Sequence, residues 1–191
     1  MRPADVPSVG GTHVETWSSA QFLAHLDDAM RIYVEAMRYP NHTGTQRAVS
    51  ARKHAGLSGF ACRAAVTEDG ELVGFGYGYT TRPGQWWHDL VRRALVREGS
   101  ESWLENAFEL SELHVLPGYQ GSGIGRQVLA ELAGSLPHTA MLLSTPDSDT
   151  RAFRLYRDTG FVDLARNYLF PGDGRPFAVL GARLPLLVKP G

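Results

Sequence analysis

Phe108-Glu-Leu-Ser-Glu-Leu-His-Val-Leu-Pro-Gly-Tyr-Gln-Gly-Ser-Gly-Ile-Gly-Arg-Gln-Val-Leu-Ala-Glu-Leu-Ala-Gly134 reads as a strand, a tight turn and an amphipathic helix. Phe108, Leu110, Leu113 and Val115 suit a half-buried strand, which Pro117-Gly118 stops. Ile124, Val128, Leu129 and Leu132 then recur at helical spacing, and Gly134 followed by Pro137 closes the helix. Between the two, Gly121, Gly123 and Gly125 strip side chains from the helix entrance. Backbone N–H groups without intrahelical partners are thereby exposed at the positive end of a helix dipole. Such a turn is an anion site, and phosphate is its usual guest.

Two better-known phosphate loops do not fit. A P-loop ends in Gly-Lys-Ser/Thr, and here Arg126-Gln127 follows the last glycine. A dinucleotide fingerprint places its third glycine three residues after its second, whereas Gly123 and Gly125 are two apart and position 126 is arginine. Taken alone, the glycines leave phosphate binding and a purely steric turn equally open.

The flanking residues decide between them. Val115-x-Pro117 followed by Gln120-x-x-Gly123-x-Gly125 resembles the coenzyme A signature of the GNAT superfamily of N-acetyltransferases. Leu155-Tyr156-x-x-x-Gly160-Phe161 is similar to the second signature of that family. The resemblance implies acetyl-CoA as co-substrate, with coenzyme contacts at Leu113, His114, Val115, Gln120, Gly121, Ser122, Gly123, Ile124, Gly125 and Arg126. It also implies a tyrosine, Tyr156, beside the coenzyme sulfur. Many members carry an asparagine seven residues before that tyrosine, where this chain has Asp149. An acidic side chain cannot donate the amide hydrogen bond, so Asp149 is expected to cap the following helix instead.

Acetyl transfer sets three needs. The pyrophosphate needs the N–H groups of the glycine turn. The thioester oxygen needs a donor as it gains charge, which family analogy places at the backbone near Val115. The leaving thiolate needs a proton, and the Tyr156 phenol can supply one. An alkyl ammonium is almost wholly protonated at neutral pH, so its attack also gains from a base. Glu109 and Glu112 are the candidates, directly or through water, with His114 as a third. Regular alternation sets Glu109 with Val115 on one face and Glu112 with His114 on the other, unless a bulge intervenes. Transfer is expected in a ternary complex, without an acyl-enzyme. A coenzyme-A-binding regulatory module without catalysis is the alternative.

Composition narrows the remaining classes. The 191 residues suffice for one domain with a proper core, and 43% apolar and 20% charged residues are ordinary for a globular protein. Nineteen basic against 20 acidic residues argue against a nucleic-acid surface. The single cysteine, Cys62, excludes an internal disulfide and a cysteine-rich metal site, and no metal is expected. No apolar run reaches membrane-spanning length, so no membrane partner is expected and a cytoplasmic location is the default.

Along the chain, residues 1–10 read as a flexible arm and 11–191 as one domain. A strand at His13–Trp17 leads to a helix capped by Ser18 or Ser19, with Phe22, Leu23, Leu26, Met30, Ile32, Tyr33 and Met37 buried, and Tyr39-Pro40-Asn41 ends it. A basic helix over Gln46–Leu57 follows. Two strands, Gly59–Thr67 and Leu72–Thr80, flank the hairpin turn Glu68-Asp69-Gly70-Glu71. Gly74, Gly76 and Gly78 share one face of the second, which suits close approach of a backbone or ligand, or a bulge. A helical insert at about 81–106 holds three of the four tryptophans. It could wall the acceptor site or pack on the body or a second subunit, so a homodimer stays open. Strands at Thr139–Thr145, Val162–Phe170 and Phe177–Leu184 surround a helix bearing Tyr156. The expected fold is α/β: a GNAT-like mixed, mostly antiparallel sheet of about six to seven strands, flanked by helices on both faces. The acceptor, a small-molecule or peptide amine, is not readable, because basic residues at 44–57 and acidic ones at 109 and 112 point in opposite directions.

Overall fold

The structure is a computed structural model and describes residues 11–186; the arm expected at 1–10 lies outside the described residues. Seven strands form one mixed sheet in the order β1-β2-β3-β4-β5-β7-β6. They are β1 (Thr12–Trp17), β2 (Ala61–Thr67), β3 (Leu72–Thr80), β4 (Ala107–Val115), β5 (Ala140–Pro146), β6 (Val162–Leu169) and β7 (Pro176–Arg183). Antiparallel pairing joins β1 to β2, β5 to β7 and β6 to β7. The parallel pair, β4 with β5, is confined to Ala107–Glu109 against Ala140–Leu142. Six α-helices accompany the strands among the described residues: α1 (Ser19–Ala24), α2 (Leu26–Met37), α3 (His42–Ala55), α4 (Trp86–Arg97), α5 (Ile124–Gly134) and α6 (Arg151–Asp158). The chain divides into two compact units, one holding the described residues up to Tyr77 with Glu112–Leu132, the other Gly78–Ser111 with the described residues from Ala133 onward.

In the first unit, Ser18 caps α1 through a capping box, its side chain accepting from the Gln21 N–H. The single helix expected from Phe22 to Met37 is in fact two. His25 ends α1 and begins α2 with a backbone outside helical values, and its ring stacks on Trp17 at 4.7 Å. The break leaves Leu23 exposed, while Phe22, Leu26 and Ile32 stay buried with Phe75, Tyr77, Ile124 and Val128. Cys62 is buried in β2, and burial pushes its thiol up to about 12, so it is a poor nucleophile.

The β3 glycines have a packing explanation. A methyl on Gly74 would meet Ile124 at 3.3 Å, and one on Gly76 would meet Val128 at 3.0 Å, so α5 lies directly against this face. Arg47 and His54 bring α3 to the opposite face, on Glu112 and Tyr77. Helices therefore cover both faces within this unit.

The same row exposes a bulge in β4. The carbonyls nearest Gly74 and Gly76 belong to His114 and Glu112, two residues for two, but the one nearest Gly78 belongs to Glu109, three residues further back. Val115, Leu113 and Phe108 all overlie the glycines despite the odd spacing of the last pair. An extra residue therefore sits between Glu109 and Glu112, and the alternation of β4 reverses there. The expectation that the two glutamates point to opposite faces is corrected: both point away from the glycine row.

In the second unit, Trp87, Val91 and Leu95 of α4 pack with Leu142, Leu164 and Val179. Trp87 Nε1 donates to Ser144 Oγ at 3.0 Å, and the Arg183 guanidinium lies 3.9 Å from the Trp103 ring centroid. The insert thus packs two of its tryptophans onto its own unit, and Trp86 remains exposed.

Candidate active site

Both ends of the motif stretch outside α5 are built to hold a turn. Pro117–Tyr119 forms a single 3-10 turn, the Gln120 side-chain amide donates back to the Val115 carbonyl at 2.9 Å, and Ser122 Oγ donates to the Tyr119 carbonyl at 2.6 Å. Gly121 and Gly123 have φ of 84° and 91°, a region that favours glycine. A methyl on Gly123 would meet nothing within 4 Å, so backbone conformation rather than space requires this glycine. Among the described residues, the N–H groups of Gly121, Ser122, Gly123, Ile124 and Gly125 find no backbone acceptor, and the Gln127 N–H makes the first return bond, to the Gly123 carbonyl at 3.0 Å. Five adjacent donors, three of them on the exposed residues Gly121, Ser122 and Gly123, at the start of an 11-residue helix suit a pyrophosphate. Arg126 is half-buried on the first helical turn.

A charged cluster lies at the end of β4 in the same unit. Glu112 is buried, and the Arg47 guanidinium of α3 grips its Oε1 through Nε and Nη2. His114 Nε2 stands 2.5 Å from Oε2. Burial alone would raise the Glu112 carboxyl; the Arg47 charge and the His114 hydrogen bond outweigh it and hold it at about 2. His114 is half-buried. Its side chain is 11% exposed, edge-on to Tyr33 of α2 at 5.2 Å and against Phe75 at 5.7 Å. Arg47 also lies 6.0 Å from the Tyr33 ring centroid. On the same face, His54 Nδ1 and the Tyr77 hydroxyl are 3.2 Å apart, and burial followed by the Arg47 charge lowers His54 to about 4.

Glu109 and Tyr156 belong to the second unit. Glu109 is buried and accepts from the Tyr79 hydroxyl at 2.9 Å. Tyr156 is buried on α6 with its ring 5.4 Å from Phe161, so the second signature packs upon itself. The expected cap at Asp149 is corrected: Thr150 caps α6, its hydroxyl accepting from the Phe153 N–H at 3.1 Å. Asp149 instead forms an exposed ion pair with Arg154 at 2.8 Å. Thr150 adopts the extended backbone of a cap, one residue further on.

Sequence reasoning missed Arg47, Tyr33, His54, Tyr77 and Tyr79. The one available signal was the basic character of α3, read as attraction for an acidic acceptor. In the structure the Arg47 charge is spent on Glu112.

Residues 26–161 match the acetyltransferase (GNAT) family, and the chain belongs to that family. It is 40% identical over 190 residues to a GCN5-like protein acetyltransferase of Mycobacterium tuberculosis, covering 84% of this chain and 92% of the relative. Its fold is similar to an N-acetyltransferase of Thermoplasma acidophilum solved with coenzyme A, with TM-score 0.61, 14% identity and coverage of 91% and 99% of the two chains. It also resembles the ribosomal-protein-S18-alanine N-acetyltransferase of Escherichia coli, with TM-score 0.60, 17% identity and coverage of 95% and 97%.

Proposed function

We propose that the protein transfers the acetyl group of acetyl-CoA to a primary amine by direct attack in a ternary complex. The observation that carries this reading is the run of open N–H donors from Gly121 to Gly125, in a chain belonging to an acetyltransferase family. In the proposal these donors hold the pyrophosphate, with Gln120 shaping the turn and Arg126 adding charge. Leu113, His114 and Val115 flank the acyl arm, and a backbone N–H near Val115 stabilises the thioester oxygen as it gains charge. Tyr156 protonates the leaving sulfur. The GCN5-like relative is named for protein acetylation, which supports an amine on a protein or peptide as acceptor.

The test incubates the full chain with acetyl-CoA and, separately, an N-terminally blocked lysine peptide, a lysine-free peptide with a free N-terminus, spermidine and free amino acids. The expected result is coenzyme A release matched by an acetyl gain on one of the peptides. Tight coenzyme A binding with no acetylated amine anywhere would overturn the reading in favour of a binding module.

A further inference from the structure

Little of α6 reaches the core: Tyr156 is buried, while Arg151, Arg154, Arg157 and Asp158 are exposed. Two turns of helix are marginal alone, so the place of α6 is set by what grips it. The grip begins at Asp147, the residue after β5. Its side chain is 3% exposed and takes the Arg166 guanidinium of β6 on both oxygens, with Nε 2.9 Å from Oδ1 and 3.0 Å from Oδ2. The Asn167 N–H donates to Oδ2 at 2.7 Å, and the Asp147 N–H donates to the Pro176 carbonyl at 2.9 Å. Asn167 has φ of 54°, where the pairing of β6 with β7 is irregular. Asparagine is among the few side chains that accept this left-handed backbone, and the bulge presents its N–H to the carboxylate.

The far side of Arg166 reaches α6. Its Nη1 lies 3.2 Å from Asp163 Oδ2, which also accepts from Arg157 Nη2 of α6 at 2.6 Å. Both guanidiniums lie over the Phe153 ring of α6, Arg166 at 5.2 Å and Arg157 at 5.3 Å from its centroid. Phe153 precedes Tyr156 by three residues, so the two side chains are neighbours on the helix surface. We propose that Arg166, fastened on Asp147 and Asp163, positions α6 and thereby the Tyr156 hydroxyl for proton donation to the leaving sulfur. The proposal rests on the reading of Tyr156 as that acid. Asp147, Asp163 and Arg166 are positioning residues that act through it.

An exposed ion pair contributes little by itself, but this one differs in two respects. The Asp147 carboxylate is buried, and the pair ties together three pieces of chain: the end of β5, the bulge of β6 and the face of α6. Arginine suits the task better than lysine. Its planar fork holds Asp147 through Nε and Nη2 and still offers Nη1 to Asp163. A misplacement of about 1 Å at a reacting group costs on the order of a hundredfold in rate. Loss of the clasp therefore leaves the fold standing and impairs the chemistry.

The test is a double-mutant cycle on the full chain with acetyl-CoA and the peptide acceptors: wild type, Arg166→Met, Tyr156→Phe and the two combined. Arg166→Met should lower kcat about tenfold in wild type and less than about twofold in the Tyr156→Phe background, with KM for acetyl-CoA unchanged. Asp147→Asn, which keeps the shape and removes the charge, should repeat the pattern. Equal losses in the two backgrounds, or a loss carried by KM, would overturn the proposal. A second readout needs no acceptor. With ring-¹³C tyrosine and coenzyme A present, the Tyr156 signal, assigned by Tyr156→Phe, should move by more than its linewidth in Arg166→Met while the Tyr33 signal stays. An unmoved Tyr156 signal also overturns the proposal. Tyr156→Phe at wild-type kcat would remove the acid reading and the proposal with it. A moved signal with no peptide, polyamine or amino acid acetylated would leave the clasp standing and remove the amine-acetylation reading.

Discussion

His114 Nε2 lies 2.5 Å from Glu112 Oε2, and Glu112 is buried beneath it with its other oxygen held by Arg47. Replacing Glu112 by Gln keeps the shape and removes the charge on which both partners depend. Breaking a buried pair costs about 3–5 kcal/mol, and the partial exposure of Arg47 reduces this to about 2 kcal/mol. Chemical denaturation should show that loss, with far-UV dichroism unchanged.

Acid should act on the same cluster in two windows. His54 is lowered to about 4 in the folded chain, so its contribution is full above its ordinary value of 6.5 and fades as pH falls towards 4. Glu112 is lowered from 4.5 to about 2, so its stabilisation is present above 4.5 and is lost as pH falls towards 2. Melting temperature measured from pH 8 to pH 2 should fall in both windows. His54→Gln should remove the first fall and Glu112→Gln the second.

Gly78 is the tightest point of the β3 glycine row. A methyl there would stand 1.9 Å from the Glu109 carbonyl oxygen and 2.5 Å from the Phe108 ring. Backbone has to move, so Gly78→Ala should destabilise by about 3 kcal/mol, at the upper end of overpacking costs. Gly123→Ala meets no atoms and suffers only the strain of its positive φ, about 1 kcal/mol. Comparing the two by urea unfolding checks that order.

Tyr156→Phe keeps the ring contact with Phe161 and removes the hydroxyl. As the proton donor to sulfur it should cost about a hundredfold in kcat, with coenzyme A affinity unchanged by calorimetry. A purely structural tyrosine would leave kcat nearly intact.

Much of this fold is legible in the chain because its signals are local. The apolar alternation of β3 and the glycine turn each depend on neighbours a few residues apart. The break at His25 was hidden because the apolar spacing of Phe22, Leu26 and Met30 runs straight through it. The cap of α6 was misplaced by one residue because Asp149 and Thr150 are both good caps and only backbone geometry separates them. The charged cluster was out of reach for a different reason. Arg47 meets Glu112 across 65 positions, and the bulge that turns Glu109 and Glu112 to one face has no signature of its own in the strand.

The central claim is acetyl transfer to an amine without a covalent enzyme intermediate. Its most direct test follows a carbon-labelled acetyl group from acetyl-CoA by mass spectrometry of rapidly quenched mixtures of the full chain and the peptide acceptors. The account predicts one acetyl gained on the peptide amine for each coenzyme A released, and no acetyl on the protein at any time. Label accumulating on the protein before the peptide, or coenzyme A released with no acetylated peptide, would contradict it.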